Sequence, residues 1–260
     1  MKRVTGVCGA ITALVLLLCS SVHAQILNVV ETGGDNEPTD TITAKWTGQT
    51  FPVSVAGEPT PSSTIGQIYT VPAFGNQVPS YVDRNHRYMN DPGTGGGGVD
   101  NIPAYLIGAQ YIMSGNDNRD NATYRLDVTV DRDVIAYMLI DNRMSASTAT
   151  DDPNDPPAFD TTHMQWILDQ GWVATANGLN RLGSTARPDE VAIDEGADGT
   201  INNWFSVYSK QFPAGTFSLF QADNAGQNMY GVVITGVPEP TSLLGLATVC
   251  VLGLARRRRA

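Results

Sequence analysis

The chain has 260 residues, with 16 Lys and Arg against 26 Asp and Glu, a formal net charge of −10. A chain this acidic is a poor match to nucleic acid or to an anionic membrane surface. Its cysteines, Cys8, Cys19 and Cys250, all stand in the two end segments, so the stretch between them contains no disulfide and must be held by its own core.

Residues 1–24 read MKRVTGVCGAITALVLLLCSSVHA. Lys2 and Arg3 make a short positive region, residues 11–18 an apolar centre, and Val22 and Ala24 occupy the small-residue positions before a cut at Gln25. This is the layout of a secretory signal peptide, helical in its apolar part; a buried N-terminal helix is the alternative. Without the two ends the charge deepens, because residues 25–236 hold ten Lys and Arg against 25 Asp and Glu, a net of −15. That balance suits a soluble extracellular protein, divalent cations, or neutral and cationic glycans.

Residues 25–236 are long enough for one large β domain or two small ones, and residues 25–66 are expected to be an irregular extension of that domain. Strand candidates follow along the chain: TITAKWT, IGQIYTV, AYLIGAQYI, ATYRLDVTV, DVIAYMLID, NWFSVYSK, TFSLF and MYGVVIT. Gly, Pro, Asn and Asp clusters separate them. In ATYRLDVTV the residues Tyr124, Leu126, Val128 and Val130 face one way and Arg125, Asp127 and Thr129 the other, the period of a half-buried strand. DVIAYMLID is apolar on both faces and predicts a central strand covered on both sides. One short helix fits residues 163–168. The expectation is an all-β, jelly-roll-like β-sandwich with one short helix, flanked by the N-terminal signal helix and a C-terminal apolar helix.

Four patterns bear on chemistry. GTGGGG has a literal GxGxxG at Gly93, Gly95 and Gly98, but no helix follows it, so a flexible loop is the reading and not a dinucleotide site. His86 and His163 belong to no spaced metal motif, and LGSTA around Ser184 is not a nucleophile elbow. DEGADGT offers Asp194, Glu195 and Asp198 between glycines, and NDNRDN offers Asp117 and Asp120 among asparagines. Both are calcium candidates, since calcium takes 6–8 hard oxygens in a tight loop; ordinary Asx-rich turns are the alternative. Trp172, after Gly171 in an expected loop, is the best candidate for an exposed sugar-stacking ring, with Asp141 and Arg143 as polar contacts. Against that stand a core tryptophan and a structural ion pair.

The second half also carries YMLIDNRM, MQWILDQGWVAT, FSVYSKQFPAG and NMYGVVI. This succession resembles bacterial extracellular β-sandwich modules of carbohydrate-binding type. The resemblance implies the fold and, as a ligand class, polysaccharide.

At the C-terminus, residues 241–255 are apolar or small. As a helix they reach about 22 Å at ~1.5 Å per residue, short of a hydrocarbon core of ~30 Å. The run suits a temporary stop in the inner membrane with Arg256, Arg257, Arg258 and Arg259 on the cytoplasmic side; a permanent anchor is the alternative. Just outside the run stand Pro238, Glu239 and Pro240. Triplet, apolar run and arginine cluster together resemble the PEP-CTERM sorting signal of Gram-negative bacteria. The resemblance covers residues 237–260 and implies export, recognition by an exosortase-type processing enzyme, removal of the tail, and release or attachment at the cell surface, commonly in an exopolysaccharide matrix. The combined expectation is an exported, non-enzymatic surface or matrix protein that binds polysaccharide. The alternatives are a secreted polysaccharide-active enzyme and a purely structural matrix protein.

Overall fold

The alternating stretch around residue 127 and the apolar block after residue 133 become two consecutive strands, and the fold is organised about their junction. The computed structural model describes residues 26–33, 41–42, 50–53, 67–70, 74–81, 86–90, 102–144, 155–161, 163–196, 198–222 and 227–237. The expected signal peptide, the glycine run at 93–98 and the tail from Pro238 onward lie outside them. In chain order the strands are β1 (Ile26–Thr32), β2 (Thr41–Ile42), β3 (Thr50–Val53), β4 (Gln67–Thr70), β5 (Arg87–Met89), β6 (Gln110–Ser114), β7 (Arg125–Val130) and β8 (Val134–Asp141). After the helix α1 (Gln165–Asp169) come β9 (Val173–Ala174), β10 (Glu190–Asp194), β11 (Asn203–Phe212), β12 (Gly215–Phe220) and β13 (Gly231–Gly236).

The smaller sheet runs β1-β7-β12. The larger runs β2-β6-β13-β8-β11-β10-β5, with β9 also on β11, and β3 pairs with β4. All these pairings are antiparallel. Among the described residues the fold is therefore the expected all-β sandwich with one short helix. In β7, Leu126, Val128 and Val130 are buried while Arg125 is exposed, as the alternation requires. β8 is buried at every position but Ile135 and lies between β13 and β11.

The two sheets are joined by one bent ribbon. Val130 faces Gly215 in the smaller sheet, and Val134 faces Phe212 in the larger. Residues 131–133 therefore stand opposite only 213–214, which is a β-bulge, the device that bends a strand from one sheet into another. The Asp133 carboxylate accepts from the Ala214 N–H at 3.0 Å and holds the bend. At its far edges the larger sheet curls: Tyr88 N–H donates to the Val78 carbonyl, and Tyr81 bridges to Ser114 at the end of β6. Inside the curl Phe74 packs on Tyr88 and Tyr111, with ring centroids 4.9 and 5.5 Å apart, and Tyr88 meets Phe205 edge-on. The Tyr88 hydroxyl fills the place a Cβ on residue 231 would take, which is why β13 begins with glycine.

Two local expectations change. The start of the expected irregular extension is an edge strand, β1, paired with β7 from Ile26↔Val130 to Thr32↔Arg125 with a register shift between Ile26 and Asn28. AYLIGAQYI is a strand only from Gln110, because residues 104–108 form turns in which Leu106 N–H donates to the Pro103 carbonyl and Gly108 has φ +83°. Among the described residues no helix is long and apolar enough to cross a membrane; the expected apolar helix at 241–255 falls outside them.

Candidate functional site

Asp141 ends β8 at the larger sheet's other end from the bend, and its carboxylate is wholly buried. Its oxygens accept from the Arg143 N–H at 2.9 Å, Arg143 Nε at 3.0 Å, Arg143 Nη2 at 2.7 Å, Asn228 N–H at 3.3 Å and Asn228 Nδ2 at 3.1 Å. Arg143 reaches on to Glu195 Oε1 at 3.0 Å, which also accepts from Asn228 Nδ2 at 2.7 Å and from Asn203 Nδ2. Burial alone would lower the Arg143 guanidinium, but the two carboxylates outweigh it and hold it more firmly protonated than a free arginine. The cluster ties the end of β8, the turn after β10, the start of β11 and the segment before β13. Asp141 and Arg143 thus form the structural ion pair, and Glu195, expected on a calcium loop, joins them.

Asp194 points the other way from Glu195. Its Oδ1 accepts from the N–H of Gly196 at 2.9 Å, and its Oδ2 from that of Gly199 at 2.8 Å. Asp198 Oδ1 accepts from Thr200 N–H at 2.8 Å. Residues 194–196 and 198–200 are thus held by Asx-type bonds, with Gly199 at φ +88°. In NDNRDN, residues Asn116–Asp120 form a single 3₁₀ turn. The buried side chains there are Asn116, which accepts from the Met229 N–H at 2.8 Å, and Asn118, whose Nδ2 lies 3.4 Å from both Glu31 oxygens. Asp117 faces Arg119 at 3.0 Å on the surface, and Asp120 closes the turn. The two oxygen-rich stretches meet at neighbouring residues, Asn228 and Met229. Among the described residues no three His, Cys, Asp or Glu side chains converge as a metal site would require.

Trp172 is a correction. The ring expected in solvent is 3 % exposed and packs against Phe212 with centroids 5.7 Å apart, while Phe212 stacks on Phe217 of the other sheet at 4.0 Å. The reason is local. Gly171 has φ +73°, Gly171 N–H donates to the Leu168 carbonyl and Trp172 N–H to the Ile167 carbonyl. This is the Schellman end of α1, and the residue after its glycine turns inward toward the helix's last apolar side chains.

Two further buried carboxylates, Asp189 and Glu190, carry no motif in the sequence. Asp189 is 0 % exposed; it accepts from the N–H groups of Asn177 at 2.8 Å and Leu179 at 2.9 Å, from Asn177 Nδ2 at 3.0 Å and from the Tyr105 hydroxyl at 2.8 Å. Burial first, and then Asp189 itself, push the Tyr105 hydroxyl far above its ordinary range, so it remains a donor. Glu190, next in the chain, accepts from Asn142 Nδ2 at 2.8 Å and from the Arg181 N–H at 3.0 Å. Together they pin the long loop between β9 and β10. The visible signal was two adjacent acids running straight into the apolar VAI of β10; their partners, from nine to 84 residues away, leave no spacing to read.

At the opposite end of the larger sheet β13 runs out at Gly236, and Val237 N–H donates to the Asp133 carbonyl at 3.0 Å before Pro238 follows. The all-β domain passes here, without a spacer, into Pro-Glu-Pro, an apolar run and four arginines. That sequence of parts defines an exported protein with a C-terminal sorting tail. Residues 236–259 match the PEP-CTERM protein-sorting motif. The tail is a signal for export through the membrane to the cell surface or extracellular space, and it implies recognition by an exosortase-type processing enzyme. Neither a curated protein nor a solved structure matches the chain.

Proposed function

We propose that this exported domain is a non-enzymatic structural component of the cell surface or extracellular matrix. The observation that carries the reading is how its acids are spent. Asp141, Asp189, Asp194 and Glu195 direct their oxygens at main-chain and side-chain donors of the fold itself, whereas general acid or base work requires a carboxyl able to reach a substrate. A domain of this kind is a product to be displayed.

Polysaccharide contact is the second reading. What favours it is Trp204, half-buried on β11, with the Arg181 guanidinium 5.7 Å from its ring centre. The guanidinium caps one face of the indole, and the partly exposed remainder of the ring offers apolar area on which a sugar could pack. Calcium at the 194–199 turn is a separate proposal, supported by its oxygen density; the ion has to displace N–H groups from Asp194, and a rise in Tm at millimolar calcium is its readout.

The experiment offers extracted matrix polysaccharide to the exported protein and follows binding and the release of new reducing ends together. The structural reading expects neither. Binding without release moves the function to polysaccharide contact, and release that disappears when a single carboxylate is replaced makes the protein an enzyme.

A further inference from the structure

The sorting motif and the folded domain share residues. The match begins at residue 236, yet Gly236 is still paired with Val134 and Val237 N–H is held by the Asp133 carbonyl at 3.0 Å. β13 is an interior strand between β6 and β8, so its end is fixed by the sheet. Pro238 stops the ladder there, because proline has no N–H to continue it.

The chain beyond this point is short. Four residues, 237–240, separate the last rung from the apolar run that starts at Thr241, and extended they span about 14 Å. While that run sits in the membrane, the bend of the ribbon, with residues 131–133 and 213–215, stands within this reach of the bilayer. An enzyme that grips a peptide in extended form makes main-chain hydrogen bonds over several residues. On the domain side of Pro-Glu-Pro, the main chain is already engaged by β8 and Asp133.

We infer that the fold withholds the front of its own sorting signal: Gly236 and Val237 must come away from Val134 and Asp133 before the processing enzyme can take up the motif in full. The inference rests on the reading of residues 236–259 as a processed sorting tail. The end of a strand is where local opening is easiest, so the device slows tail removal and does not forbid it. It also orders events, because a domain whose last strand has not yet settled offers the whole motif, and a settled one offers it only in the frayed fraction.

The test uses the full chain in a host that contains the processing enzyme, with tail removal followed by pulse-chase. Six residues, Gly-Ser-Gly-Ser-Gly-Val, are inserted between Val237 and Pro238. The native Gly236 and Val237 then stay in the sheet, and a second Gly-Val pair precedes Pro238. Releasing one or two main-chain hydrogen bonds corresponds to about a tenfold gain in available motif, so the insertion is expected to speed removal by about that factor with Tm unchanged. An unchanged or slower rate overturns the inference. A third chain, with alanine at 238–240, separates this from the sorting reading. If that chain loses its tail as fast as the parent, the sorting reading itself fails. If it keeps its tail while the insertion has no effect, only the withholding fails.

Discussion

Trp172 shows how a single position can invert a functional reading. A tryptophan after glycine between two predicted elements reads as a loop ring, but the glycine is a helix stop and the ring closes the core between the two sheets. Trp172→Ala is therefore expected to cost about 3–5 kcal/mol in denaturant unfolding; a loss below about 1 kcal/mol would return the ring to the surface. Asp189 is the converse case, an acid with no motif that carries four donors. Asp189→Ala leaves these part-buried donors without their acceptor, and, since a donor left unpaired costs about 1–3 kcal/mol when fully buried and less where water reaches it, a loss of about 2 kcal/mol is expected. Loosening of the loop between β9 and β10 should show in the same variant as faster hydrogen exchange at Asn177 and Leu179.

Among the elements, the two sheets answer to different forces. In the larger sheet the constraint is volume. Gly231→Ala puts a methyl where the Tyr88 hydroxyl lies, and overpacking of this kind costs about 1–3 kcal/mol. The loss should shrink in the Tyr88→Phe background, and an equal loss in both backgrounds would place the clash elsewhere. In the smaller sheet the pair across β7 and β12 is electrostatic. Ser218 Oγ donates to Asp127 Oδ1 at 2.5 Å, and Arg125 Nε adds a second bond at 2.8 Å. The serine bond first, and Arg125 with it, hold the Asp127 carboxyl below its ordinary value. A carboxyl lowered by folding stabilises the native state above its unfolded pKa of about 3.9, and that share is lost as pH falls through the lower folded value. Asp127→Asn should accordingly lose less stability than the parent between pH 5 and pH 3; parallel curves would contradict the assignment.

These elements also show what could be read in advance. The alternation from Tyr124 to Val130 and the doubly apolar block of β8 stated both their faces and their order, because burial leaves its period in the sequence. β1 did not announce itself, since ILNVVET has no clean alternation and its Ile26 end is irregular in register. β10 was hidden because its last residue, Asp194, also opens a turn that looks like an ion-binding loop. The D-x-R pair at 141–143 was legible as an ion pair, being local. Its partners Glu195 and Asn228 were not, because contacts across 33 to 87 residues depend on topology that no local pattern records.

For the molecule as a whole, destination and domain are separately encoded. Residues 236–259 carry the address, and the described domain supplies a core without disulfides in which buried polar groups lock one strand end to the next. They meet at one place, the end of β13, where the strand leading out of the fold runs into the signal. The most direct test is to replace Pro238, Glu239 and Pro240 with alanine and to fractionate the producing cells, taking intact masses from each fraction. The parent is expected at the cell surface or in the medium without residues of the apolar run, and the variant in the inner membrane at its tail-bearing mass with the domain folded. A variant that reaches the surface and loses its tail like the parent would contradict the assignment of residues 236–259 as the sorting signal.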